Sequence, residues 1–199
     1  RCPAGLRSLK KKLYIQTVMR MGLYDDLVWH ATSATEIADM RSVIGRFIPD
    51  LTSRTVLAPN LAAPSSVPAS AMTSSAKQPG SLRIVFLARV ARMKNLDYAL
   101  AVVRGLSGGI EFDIYGPLED ARYWEECQQI ILSAAPNIQI TYRGSLPPDQ
   151  VPSVLAGYHL FFLPTRGENF GHAIIEALAA GCPVLISDQT SWRALEEKG

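Results

Sequence analysis

The chain lacks the features that usually commit a sequence to a disulfide scaffold, a membrane span or a polyelectrolyte partner. It has three cysteines, at 2, 127 and 182, an odd number without paired spacing. This argues against a disulfide framework and against cysteine-built zinc, and it points to a reducing, cytoplasmic compartment. Cys182, between Gly181 and Pro183 and ahead of an apolar run, reads as packing and not as a nucleophile. No apolar run approaches a transmembrane span, and no signal peptide is evident. Charge of one sign is also missing. Lys and Arg number 20 against 18 Asp and Glu, and the basic residues lack interleaved aromatics, so nucleic acid is not an expected partner. There is no Gly-x-Gly-x-x-Gly after the first strand of the second half, which argues against a dinucleotide-binding domain, and there is no Asp-x-Asp metal signature. No internal repeat is apparent.

What is present is enough apolar sequence, 48% of 199 residues, for one substantial domain or two small ones. Residues 61–80, LAAPSSVPASAMTSSAKQPG, carry one charge and no hydrophobic period, and they read as a linker or long loop. Beyond them, strand-like runs at Ile84–Ala88, Ile110–Tyr115, Ile138–Tyr142, Leu160–Leu163 and Val184–Ile186 alternate with helical segments. Leu96, Ala99, Leu100 and Val103 mark one buried helix face. The alternation predicts an α/β fold, a Rossmann-like parallel sheet with helices on both faces. Ligands of such sheets bind beyond the carboxyl ends of the strands. Arg89, Gly116, Arg143 and Glu168 are each expected just after a strand, along that edge.

Before the linker, Leu6 to Met21 reads as a basic amphipathic helix carrying Arg7, Lys10, Lys11, Lys12 and Arg20. Such a helix suits peripheral contact with the inner face of an anionic membrane, and a solvated helix face is the competing reading. Leu27–Ala31 and Thr55–Asn60 read as strands, and Ser33 with Glu36 has capping-box spacing.

The densest cluster of chemistry lies between Glu168 and Glu176. A strand-like run and a polar loop precede it, and Gly181 with Pro183 end the helix it opens. A helix beginning near Gly171 would point its free N–H groups at the loop, where an anion is favoured. His172, Ala173, Glu176 and Ala180 would share one strip, with Ile174, Ile175 and Leu178 facing the core. A carboxylate at Glu176 can accept paired hydrogen bonds from neighbouring hydroxyls, as on a ribose. The pattern suits a polyhydroxylated ligand bearing phosphates. The bland alternative is a solvated helix glutamate and a loop charge.

The stretch ENFGHAIIEALAAGCPVLI, Glu168 through Ile186, resembles the donor-binding signature of retaining glycosyltransferases of family 4, glycosyltransferase group 1. The resemblance takes in Leu87–Asn95, Ile114-Tyr115-Gly116 and Tyr142-Arg143-Gly144, and it runs from Leu82 to about Glu197. It implies the C-terminal half of a two-domain GT-B enzyme, with 1–60 a remnant of the N-terminal acceptor domain and 81–199 a truncated donor-binding domain. Arg89 and Lys94 match the basic pair on the donor diphosphate, with Arg92 between them as a lesser candidate. Glu176 matches the ribose acid, and Glu168 the acid that contacts the transferred sugar. Asn169, Phe170 and Gly171 match backbone contacts to sugar hydroxyls, and His172 stands near the phosphates. Gly116 matches the turn after the second strand. Arg143, Gly144 and Leu146 match the loop near the base. Glu168, Arg89 and Lys94 are thus the implied catalytic set.

The implied reaction is sugar transfer from a nucleoside diphosphate, UDP or GDP foremost, to a carbohydrate or lipid-linked acceptor with retention. No cofactor or metal is expected, and the chain is read as a fragment that binds donor without turning over alone. A sugar-nucleotide epimerase of the same architecture and a nonenzymatic nucleotide-binding module are the alternatives. Four departures from the family pattern stand out: Ala88 and Asn95 where glycine is common around the basic pair, Asn169 where glycine often follows the first glutamate, and a glycine-rich turn after the second strand that is reduced to Gly116-Pro117-Leu118.

Overall fold

The computed structural model describes residues 6–59 and 78–192. The greater part of the expected linker therefore lies outside the described residues, as does Cys2. Two compact units are formed, one within residues 1–61 and the other within 62–199.

The first unit contains α1 (Leu6–Arg20), β1 (Trp29–Ala31), α2 (Ala34–Ile44) and β2 (Thr55–Leu57). The two strands pair in parallel, with Trp29 opposite Thr55 and Ala31 opposite Leu57. Ile44, Ile48 and Leu51 form its small core, against which Ile15, Met19 and Trp29 pack. The expected capping box is present in a modified form. Ser33 Oγ accepts from Glu36 N at 3.1 Å, while the Glu36 carboxylate reaches one residue further back, to Thr32 N and Oγ1, both at 2.7 Å. Those bonds to the charged form hold the Glu36 carboxyl below its ordinary value. The amphipathic reading of α1 is corrected. Lys10, Lys11 and Lys12 are consecutive, so at about 100° per residue they fan around the helix. Leu9, Leu13 and Tyr14 are exposed among them.

The second unit is a five-stranded, all-parallel sheet in the order β5-β4-β3-β6-β7. Its strands are β3 (Ser81–Leu87), β4 (Gly109–Tyr115), β5 (Ile138–Gly144), β6 (Leu160–Leu163) and β7 (Val184–Ile186), each where the apolar runs predicted one. β3 is central, so Ile84, Val85 and Phe86 are buried in succession and the strand does not alternate. The connections are α3 (Leu96–Val103), α4 (Ala121–Leu132), α5 (Val151–Leu155) and α6 (His172–Ala179). From β3 the chain steps outward to β4 and β5, then crosses back to β6 and β7. Right-handed crossovers in opposite directions place α3 and α4 on one face and α5 and α6 on the other. The helix contacts agree, α3 with α4 and α5 with α6. Leu96, Ala99, Leu100 and Val103 are all fully buried, as their spacing requires.

Among the described residues no helix is long and apolar enough to cross a membrane. Cys127 and Cys182 are buried, and burial pushes the Cys127 thiol up to about 11, which makes it inert.

Candidate functional site

The strand order reverses between β3 and β6, so the loops leaving those neighbours face each other at the carboxyl edge, the usual ligand position of such sheets. Both loops carry the charges singled out in the sequence, and they are sewn together. Met93 O accepts from Arg166 N at 2.8 Å and from Thr165 Oγ1 at 3.0 Å. Asn95 Nδ2 donates to Pro164 O, and its Oδ1 accepts from Arg166 Nε, both at 2.9 Å. Across this seam the Lys94 ammonium pairs with the Glu168 carboxylate, with side chains only 12% and 20% exposed.

Asn95 explains one departure from the family pattern. It is the sole non-glycine residue with positive φ among the described residues, at 61°. Asparagine tolerates that left-handed conformation better than other side chains, and here its amide also holds the opposite loop, which glycine would not do.

The second loop ends at α6. Gly171, at φ 78°, precedes the helix with no side-chain cap, whereas α2 and α4 are capped by Ser33 and Asp120. A Cβ there would lie 2.7 Å from Ile174 Cδ1 and 3.3 Å from Glu168 Cγ, so both backbone and packing require glycine. No side chain caps the first turn of α6, where Ile174 N donates back to Gly171 O at 2.9 Å, and the positive end of the dipole lies at this mouth beside Glu168. The start of α3 differs, because Asp97 N donates to Tyr123 Oη at 2.9 Å.

The expected orientation of α6 is partly corrected. Its inner strip is Ile174, Ala177 and Ala180, and Leu178 is 42% exposed. Ala180 therefore belongs to the core. Ile174 and Ala177 define the inward direction by i, i+3 spacing, and Leu178 lies about 100° off it. His172 is exposed and its ring lies 4.6 Å from that of Phe170. Glu176 is half-buried, and burial raises its carboxyl above the ordinary value, with His172 pulling the other way. The raised pKa means that the folded state favours the protonated form. Glu176 therefore destabilises the fold once ionised, and the penalty vanishes as pH falls below both the folded and the unfolded pKa. Glu176→Gln is accordingly expected to melt higher than the parent at neutral pH and to lose that advantage near about pH 4. Thermal melts at both pH values check this.

The remaining candidates sort by position. The Arg89 guanidinium lies at the end of β3, exposed, and is paired with Glu119. Arg92 is committed to α4, with Glu126 at 2.6 Å, Asp120 at 4.0 Å and the Tyr123 ring 5.0 Å away. Gly116, at φ 137°, bonds through its N–H to Gly144 O at 2.9 Å. Asn169 is exposed, and Leu146 packs against the core.

Arg143 requires a correction of place. It lies inside β5 and not beyond it, and its Nε donates to Asp113 Oδ1 at 3.0 Å. Asp113 is buried and also accepts from Tyr158 Oη at 2.6 Å. A buried carboxylate demands such partners, so the guanidinium has a structural task on the sheet. Arg143→Ala is expected to cost about 1–3 kcal/mol of stability through the abandoned carboxylate, while changing nucleotide affinity less than twofold. Urea unfolding and calorimetry on one sample separate the two effects.

Sequence reading missed the platform under the second loop. Ser187 Oγ donates to Thr165 O at 2.5 Å, Glu168 N to Gln189 O at 3.0 Å, and Trp192 Nε1 to Phe170 O at 2.5 Å. These partners follow β7, and no local pattern announces them. A cavity of about 570 Å³ also opens beneath the loops between Tyr98, Phe162 and Leu185, but none of the charged candidates lines it. Among the described residues no group of three or more His, Cys, Asp or Glu is placed to hold a metal ion.

With this geometry in hand, the comparison with known proteins is specific. Residues 70–197 match the family Glycosyl transferases group 1. The chain belongs to that family. Over 107 residues it is 25% identical to the 2-deoxystreptamine glucosyltransferase of Streptomyces kanamyceticus, a stretch covering 54% of this chain and 28% of that protein. Over 109 residues it is 29% identical to the 2-deoxystreptamine N-acetyl-D-glucosaminyltransferase of Niallia circulans, covering 53% and 27%. Anabaena Alr3699/HepE, crystallised with UDP and glucose, has a like fold with TM-score 0.69 at 15% identity, covering 90% of this chain and 49% of HepE. The chain thus spans about half the length of HepE and little more than a quarter of the two transferases in their matched parts. Its fold is the Rossmann-like α/β fold of GT-B glycosyltransferases.

Proposed function

We propose that residues 81–199 bind the nucleoside-diphosphate sugar of a retaining hexosyltransferase, with residues 1–60 the closing part of an acceptor domain and 61–80 the linker. One observation carries this reading. Lys94 and Glu168, 74 residues apart, meet at the reversal point of the sheet beside the uncapped mouth of α6. A cation, a sugar-reading carboxylate and open helix N–H groups are what a sugar diphosphate requires in one place.

In this reading Lys94, Arg89 and the α6 N-terminus bear the charge that develops on the departing diphosphate. Groups aimed at developing charge stabilise the transition state more than the ground state. Glu176 takes the ribose hydroxyls, Glu168 and the loop backbone of Asn169, Phe170 and Gly171 take the sugar, and His172 approaches the phosphates. The Gly144–Leu146 backbone meets the base. The acceptor is a hydroxyl of a carbohydrate or lipid-linked molecule, in polysaccharide, lipopolysaccharide or glycolipid synthesis. No metal is assigned a role. HepE, with UDP in its crystals, makes UDP the first nucleotide to try, with GDP second.

The test is equilibrium dialysis of the chain against a UDP-hexose and a GDP-hexose, with simple sugars as acceptors. One donor should be retained, with no nucleoside diphosphate released. Donor-dependent product would overturn the claim that this chain does not turn over alone. A folded sample that retains neither donor would overturn the binding claim.

A further inference from the structure

Three cations follow β3, and in the structure each is already paired with an acid: Arg89 with Glu119, Arg92 with Glu126, and Lys94 with Glu168. Arg92 and Glu126 belong to the packing of α4, and Glu168 already has a place in the proposed site. Glu119 has neither role. The next residue, Asp120, performs the capping of α4 by accepting from Tyr123 N at 3.0 Å. Yet Glu119 is firmly placed opposite Arg89. Val90 N donates to Pro117 O at 2.9 Å, Val90 and Leu118 form a parallel bridge, and Glu119 N donates to Val90 O at 3.3 Å. The β4–α4 turn is thus stitched to the residue after Arg89, and the carboxylate is delivered to the guanidinium by the backbone.

We propose that Glu119 is a specificity-determining residue of the donor site, an internal counter-ion that occupies Arg89 when the site is empty and that the donor's diphosphate must displace. The proposal rests on the donor-site reading of Arg89 given above. Its consequence is a bias against product. A nucleoside diphosphate has a terminal phosphate whose second ionisation lies near about pH 6, so at neutral pH it carries one more negative charge than the sugar ester it derives from. A carboxylate beside the cation repels the more charged species more strongly. Glu119 therefore weakens the hold on released nucleoside diphosphate more than the hold on the incoming donor, and so favours product release.

The pair is exposed, with 61% and 49% of the two side chains accessible, so its effect is modest. Glu119→Gln, which keeps the shape and removes the charge, should tighten UDP or GDP binding about two- to fivefold. The gain for the corresponding nucleotide sugar should be smaller. Glu119→Asp should bind like the parent, because the charge is kept. In an Arg89→Ala background the Gln substitution should bring a smaller gain, because only the direct repulsion is left to remove. Calorimetric titration of the full chain and these variants, with melting temperatures as the check of fold, decides it. If the parent binds nucleotide but Glu119→Gln binds no tighter, or gains as much without Arg89, the counter-ion role is overturned and the donor-site reading stands. If neither parent nor variant binds any nucleotide, both fall.

Discussion

Gly116→Ala is expected to destabilise the second unit by about 4 kcal/mol or more, a loss of about 10 °C or more in melting temperature. A Cβ at Gly116 would stand 1.9 Å from the Ala88 carbonyl oxygen and 2.6 Å from its carbon, both backbone atoms that cannot rotate away. The residue also has φ 137°, which L side chains rarely adopt. Relief would have to come from the ends of β3 and β4, where Ala88 N donates to Tyr115 O at 3.0 Å and Tyr142 Oη donates to Gly116 O at 2.8 Å. That movement would carry Arg89 with it. Gly144→Ala is the informative control. Its φ of 78° is equally left-handed, but a Cβ there meets nothing within 4 Å. It should cost only the conformational penalty, about 1–2 kcal/mol. Thermal or urea unfolding of both variants tests the contrast, and equal losses would contradict the close approach of β4's end to Ala88.

Lys94→Ala should weaken nucleoside diphosphate binding about tenfold to a hundredfold. A charge-assisted contact to phosphate accounts for that range, and Lys94 is the least exposed of the three cations in their ion pairs. The substitution also strands the Glu168 carboxylate, 20% exposed, beside the path of the phosphates, where its charge becomes repulsive. Arg92→Ala should change affinity little, because that guanidinium serves Glu126 and the Tyr123 ring. Calorimetry on the two variants distinguishes a cation used by the ligand from one used by the fold. Equal effects would mean that the loop acts only as diffuse positive charge.

The sheet was readable because its strands are short apolar runs separated by glycine-bearing turns, a pattern that survives without tertiary information. The face of α3 was readable for the same reason, since Leu96, Ala99, Leu100 and Val103 repeat with the helix period. Where the structure differs, the cause is non-local. Arg143 looked like a residue beyond a strand, but buried Asp113 on the neighbouring strand holds it within β5. Leu178 looked like core, yet Ile174 and Ala177 point elsewhere and leave it exposed. In α1, three successive lysines suggested a basic face that a helix cannot form from consecutive residues.

The candidate site was legible as a set of residues but not as an arrangement. Glycine at 171 and the acids around it can be read in order along the chain. The pairing of Lys94 with Glu168 cannot, because it depends on β3 and β6 being neighbours. Glu119 and Trp192 were missed for the same reason. Each meets its partner across a gap, 30 residues to Arg89 and 22 to Phe170, with no repeat or motif to mark it.

The most direct test of the donor site is a calorimetric titration of the chain with UDP, GDP and ADP, run beside Arg89→Ala and Glu176→Ala. The account predicts that one nucleotide binds selectively and that either substitution weakens it about tenfold or more. A folded chain that binds none of the three, or binds one of them equally well without Arg89 and without Glu176, would contradict it.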